Sequence, residues 1–182
     1  MYFANPVAAI EVHPSRAQIQ AALDRGKSAG AQHQAPEMWY ARFGGAGELE
    51  AGGFLLTKLG GLSVMATHMA RRGLDPSATD IAQVMETPTM LVNAVIFGDD
   101  PSFATDSYMV LDQKGKTINP VMVRVDGQAE RSTAWPENPR FKATIVASFA
   151  YTDFDPSATT TITVYPAHGG EVSFPLDFAR IE

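Results

Sequence analysis

Residues that could do chemistry come in four small groups. The first is Ala167-His168-Gly169-Gly170. In some esterases a His-Gly-Gly loop supplies backbone N–H groups to a developing oxyanion. That loop belongs early in an α/β-hydrolase, between a parallel strand and a helix, with a serine elbow later in the chain. Here it sits near the C-terminal end, between "TTTITVYP" and "EVSFPLDF", and no elbow follows. Two alternating runs joined by glycines read as a β-hairpin, because tight hairpin loops need φ > 0.

The second group is Gly26-Lys27-Ser28, which looks like the end of a phosphate-binding loop. The motif requires a glycine where this chain has Ala21, and a strand before it. The tripeptide reads as a helix terminus. The third, Gly61-Leu62-Ser63-Val64-Met65, lacks the closing glycine of a nucleophile elbow. Ser63 reads as a small residue at a helix start. The fourth comprises His13, His33, His68 and His168 with the aspartates Asp99-Asp100 and Asp153-x-Asp155. No histidine pair has the i, i+4 spacing of a zinc helix. His33 and Glu37 are four apart, but Pro36 intervenes. The aspartate pairs lack an EF-hand's loop of oxygen ligands and read as turns and caps. The sequence thus designates no catalytic, cofactor-binding or metal-ligating residue.

Bulk properties narrow the classes further. The chain has 182 residues, 45% of them apolar, enough to bury a core without metals or disulfides. Its net charge is −6, and the only tight basic pair is Arg71-Arg72, which argues against a nucleic-acid partner. It has no cysteine, so thiolate chemistry is excluded, although either redox compartment is compatible. No apolar run is long enough to span a membrane. "MYFANPVAAIEVHPS" reads as no intact signal peptide. Asn5, Asn119 and Asn138 each precede proline and Asn93 precedes Ala-Val, so no asparagine lies in a glycosylation sequon.

These residues need elements to position them. Residues 1–14 form an apolar arm. "SRAQIQAALDRGKSAG" predicts a helix opened by a Ser15/Gln18 capping box and ended by Gly26 or Gly30. "MWYARFG" and "FLLTK" read as strands around a glycine-rich loop. Leu62, Met65, Ala66 and Met69 share a helical face, and Gly73 suits that helix's end. Asp75-Pro76 predicts a cap and first turn for another helix, running to about Glu86. From Thr89 the texture changes to six strand-like runs, including "TINPVMVRV" as one of them. The pentad Asp-Pro-Ser-Ala-Thr recurs at 75–79 and 155–159 and reads as independent turn chemistry. Pro175 predicts an edge or bent last strand.

The expected fold is therefore α+β. An antiparallel β-sandwich occupies 89–182, with the helices and strands of 15–88 packed against it or extending it, as one compact unit. A small barrel with a helical lid is the alternative. "SYMVLDQKGKTINP", "FKATIVASFAYTDFDPSATTTITVYP" and "GEVSFPLDFARI" together resemble an immunoglobulin-like module. Over residues 40–182 the chain resembles uncharacterised exported proteins of soil bacteria, which implies export and a sandwich but no reaction. The Cys…Trp…Cys core of antibody domains is absent, and Trp135 falls in a proline-bounded loop.

The leading functional expectation is a non-catalytic exported module for binding, structure or self-assembly. It would sit in the periplasm or outside the cell, its leader absent from this stretch; a cytoplasmic location is also open. A homo-oligomer would form through the arm or an edge strand. One alternative is a hydrolase with a spatially assembled carboxylate and histidine site. Another is a small apolar-ligand carrier lined by Trp39, Tyr40, Phe43 and nearby methionines.

Overall fold

The computed structural model of the protein describes residues 9–168 and 170–181. Helix α1 spans Arg16–Ala31, opened by the expected capping box: Gln18 N–H donates to Ser15 Oγ (3.3 Å) and Ser15 N–H to Gln18 Oε1 (2.8 Å). It does not stop at Gly26 or Gly30. Both glycines lie inside it because helix α2 (Lys58–Ala70) passes too close for a side chain. A Cβ on Gly26 would stand 2.4 Å from Ser63 O, and one on Gly30 2.6 Å from Ala70 Cβ. α1 ends instead through His33, at φ 55. His33 N–H donates to Gly30 O (3.0 Å) and Gln34 N–H to Ala29 O (2.9 Å), a Schellman closure. α2 closes the same way with Gly73 at φ 71, as its glycine predicts.

Helix α3 covers Ala78–Glu86. Its cap is Ser77, not Asp75: Asp80 N–H donates to Ser77 Oγ (3.2 Å) and Ser77 N–H to Asp80 Oδ2 (2.8 Å). Asp80 stands at the N3 position and completes that box, which leaves Asp75 free to pair with Lys27 (2.8 Å).

Strands β1 (Ala41–Gly44), β2 (Gly52–Leu56), β3 (Thr89–Gly98), β8 (Phe141–Ala150) and β6 (Met122–Val125) pair in that order, all antiparallel. The two-residue β7 (Glu130–Arg131) follows β6 along the same side of β8. The second sheet runs β10 (Val172–Asp177), β9 (Thr159–Tyr165), β4 (Tyr108–Gln113), β5 (Lys116–Ile118), again antiparallel. The run 117–125 is two strands, in different sheets. Pro120 has no N–H to give a ladder, and the chain changes sheet around it. The expected hairpin is present as β9–β10, paired from Val172↔Val164 to Asp177↔Thr159. Gly170 has φ 80; Gly169 lies outside the described residues. Pro175 is on the outermost strand, where a missing N–H is tolerated.

One core joins the two sheets. Met90, Val92, Ala94 and Ile96 of β3 and Ala143, Ile145, Ala147 and Phe149 of β8 meet Met109, Leu111, Ile162, Val164 and Phe174. The period-2 spacing along each strand puts these residues on one face. The protein is thus α+β, with two antiparallel sheets and three α-helices among the described residues. The first sheet crosses from segment 15–88 into 89–182, since β2 pairs β3. Of the apolar arm, residues 1–8 lie outside the described residues. Ile10 is 1% exposed within this core, and its N–H donates to Pro156 O (3.1 Å).

A smaller cluster, Ala22, Leu23, Leu59, Leu62 and Ala66, binds α1 to α2. Among the described residues no helix is long and apolar enough to cross a membrane.

Candidate functional site

Strand register makes the outer face of the first sheet a set of side-chain rows. Leu56, Leu91 and Ser148 form one row, ending at Met122. Arg42, Phe54, Asn93, Val146 and Arg124 form the next. Gly44, Gly52, Val95 and Thr144 follow, and then Phe97 beside Lys142. In the first row Leu56 and Leu91 border a crevice with Val84 of α3 and Tyr151. At that seam Lys58 Nζ donates to Met85 O (2.8 Å) and lies 5.2 Å from the centre of the Tyr151 ring. Burial pushes the Tyr151 phenol up to about 12, against a hydrogen bond from the Lys58 backbone that acts the other way.

The remaining rows are open. In the third row two of the four positions are glycine, so on the β1–β2 side the sheet carries no side chains. The loop from Gly45 to Ala51 curls beside this bare strip, held by Gly45 N–H to Ala51 O (2.9 Å) and Gly47 N–H to Glu50 Oε2 (2.9 Å). The result is a cleft of about 580 Å³. Phe54, Val95, Phe97 and the amide of Asn93 line it, and Arg42, Glu48 and Glu50 stand around it. Tyr40 stacks on Phe54 (centroids 4.1 Å, 13°), which fixes that ring. Asn93 is the polar residue of β3 that lines the cleft, and its side chain makes no hydrogen bond among the described residues; neither does Arg42. An apolar floor with a few unmatched polar groups is the common make-up of a small-molecule site.

A second cavity, about 350 Å³, lies where α1, α2, β1 and the C-terminal segment meet, and Arg25, Arg42, Arg180, Trp39 and Tyr40 line it. Arg180 Nε pairs with Asp177 (3.2 Å), and the Arg25 guanidinium lies 5.7 Å from the centre of the Trp39 ring. Arg42 borders both cavities.

The motifs singled out by sequence have other work. Gly26 is an interhelix contact, Lys27 pairs with Asp75, and Ser28 Oγ accepts from Gln32 Nε2 (3.2 Å). Ser63 is buried in the second turn of α2 and donates to Ala22 O (2.9 Å). Thr67 Oγ1 lies 3.1 Å from Gly26 O and accepts from Trp39 Nε1 (2.9 Å). All four histidines are exposed, and none lines the cleft. His168 lies near enough to Asp100 to help hold its carboxyl down, after the larger effect of the Ser102 hydroxyl and N–H. Asp155 is likewise lowered by the N–H and hydroxyl of Ser157, the Asx-turn chemistry read from the repeated pentad. Asp153 accepts from Thr152 (2.9 Å). Among the described residues no three His, Cys, Asp or Glu side chains converge as a metal site. Of the carrier aromatics, Trp39 and Tyr40 border the arginine-lined cavity, whereas Phe43 turns into the core against Phe174 (5.1 Å). Trp135 is exposed, with the Arg131 guanidinium 4.5 Å from its ring centre.

Sequence reading missed Arg42, Asn93 and the cleft itself. Two signals were available: a lone amide in the apolar run "TMLVNAVIFG", and glycines at both ends of the loop between two strands.

No family model matches the chain, and no curated protein matches it. Among solved structures it is similar to the archaellum periplasmic stator protein FlaG from Sulfolobus acidocaldarius. That likeness has 12% identity and a TM-score of 0.36, and covers 50% of this chain and 88% of that one. It is also similar to the archaellum periplasmic stator complex of FlaF and FlaG from the same organism. There the identity is 13%, the TM-score 0.30, and the coverage 50% and 78%.

Proposed function

We propose that the protein is a non-catalytic exported binding module, built on an immunoglobulin-like sandwich, that holds its ligand in the outer cleft of the first sheet. The observation that carries this reading is the cleft: an apolar floor around the unmatched amide of Asn93, with Arg42 beside it. Strand order supports the sandwich. With β2, β3, β4, β5, β6, β8, β9 and β10 taken as A, B, C, C′, D, E, F and G, the sheets read A-B-E-D and C′-C-F-G. That is the immunoglobulin-type order. Export rests on the resemblance of residues 40–182 to uncharacterised exported proteins, and fractionating the native host tests it. Binding is tested by titrating fragments into ¹⁵N-labelled protein. Shifts should converge on the amides of Arg42, the Gly44–Gly53 loop and Asn93. Binders that map elsewhere, or none at all, would sink the reading.

A structural variant has one observation of its own. Val121 and Met122, at the outermost strand β6, are 59% and 54% exposed. Such an edge can pair with a second copy. Sedimentation of the wild type against Val121→Lys/Met122→Glu distinguishes the two: a mass unchanged by the substitutions removes this variant.

A further inference from the structure

We infer that the cleft selects a small zwitterion with an apolar, preferably aromatic, side chain: a free amino acid or a dipeptide. The inference rests on the binding reading above and adds the ligand's chemistry. Charges of both signs border one apolar floor. Arg42 is exposed, makes no ion pair among the described residues, and sits in register beside Phe54, so its guanidinium can fork onto a carboxylate. Glu48 and Glu50 stand on the glycine loop. Glu50 uses one oxygen for the Gly47 N–H and keeps the other; Glu48 has no partner among the described residues. These carboxylates suit an ammonium. Phe54, Val95 and Phe97 line the same cleft and offer a side chain rings and methyls but no charge. Asn93 faces this floor with a donor and an acceptor, which match the polar head of an amino acid or the amide of a dipeptide. A ligand of one charge sign would leave the opposite border unmatched, and a neutral apolar ligand would leave both. The volume, about 580 Å³, lies within the ordinary range for small-molecule sites.

The test uses the full chain and four probes: L-phenylalanine, L-phenylalanyl-L-phenylalanine, N-acetyl-L-phenylalanine and L-phenylalaninamide. Binding is followed by ¹⁵N shifts of the loop and Asn93 amides. At least one of the two zwitterions should bind, and which one is tighter identifies the source. Each blocked analogue should bind about tenfold or more weakly, as loss of one charge-assisted contact implies. In Arg42→Gln the preference for a free carboxylate should fall to about one. In Glu48→Gln/Glu50→Gln the preference for a free amine should do the same. These are ratios within one variant, so a partial loss of folded protein does not move them. If fragments occupy the cleft but the blocked analogues bind as well as the zwitterions, the ligand class is wrong while the binding reading stands. If neither zwitterion nor any fragment shifts the cleft amides, both fall.

Discussion

Two residues carry most of what can be tested at the smallest scale. His33 holds a left-handed conformation, φ 55, at the end of α1, a place where glycine is the unstrained choice. An L-residue there costs about 1–2 kcal/mol, part of which a glycine returns as unfolded-chain entropy. His33→Gly should therefore stabilise the protein by about 0.5–1 kcal/mol in urea unfolding, and His33→Ala should not. Tyr151 is the second. Its phenol titrates near 10 in the unfolded chain and near about 12 when folded. The folded pKa is the higher, so the unfolded state loses its proton first as pH rises. Stability from this group is whole below pH about 10 and drains away between about 10 and 12, by roughly 2–3 kcal/mol. Unfolding at pH 9 and 11.5 should show that loss in the wild type, and Tyr151→Phe should lack most of it. Neither role is visible in a one-dimensional pattern. A histidine at a helix end reads as solvated, and the burial of Tyr151 depends on α2 arriving from elsewhere in the chain.

Among the elements, the meeting of α1 and α2 tests which of two opposing effects wins. Gly→Ala inside a helix ordinarily gains about 1 kcal/mol of propensity. At Gly26 the new methyl would stand 2.4 Å from Ser63 O and 2.7 Å from Ala66 Cβ, on backbone and side chain that cannot give way cheaply. Overpacking of this kind costs about 1–3 kcal/mol, more than propensity returns. Gly26→Ala should lower stability, by up to about 2 kcal/mol net, read as a reduced denaturation midpoint. The same contact shows where element reading succeeds and where it stops. The Ser15–Gln18 capping box and the period-2 run of β3 from Thr89 to Gly98 were legible because they are local, whereas the cap of α3 was read at Asp75 and stands at Ser77. The C-terminal end of α1 was not legible, because a glycine that terminates a helix and a glycine that lets another helix approach look alike in sequence. The run 117–125 misled for a related reason. Its residues are strand-like on both sides of Pro120, yet the inward phase shifts from Ile118 to Val123 and Val125, and the two halves serve different sheets. The cleft was illegible because it depends on register: only the pairings Arg42↔Phe54 and Phe54↔Asn93 bring those three residues side by side.

For the whole molecule, the N-terminal region divides at Ile10. A deletion of residues 2–12 would remove a side chain from the core. A deletion of residues 2–8 stops short of it. Ile10→Ala should cost about 2–4 kcal/mol, as buried large-to-small changes do, read as a lower midpoint in urea unfolding. An oligomer that survives the shorter deletion is not built by those residues. The two ends of the described chain also share an anchor. Ile10 N–H is held by Pro156 O, and Phe178 N–H by Ala158 O (3.2 Å), on one short loop before β9. A pull on the two ends therefore loads that loop rather than stretching either sheet along its strands. The outer strand β10 would peel from β9 one bond at a time, beginning at Asp177↔Thr159. Under tension the domain should act as a zipper and not as a clasp, yielding in single-molecule stretching at a force well below that of the same protein gripped at opposite ends of β3 and β8.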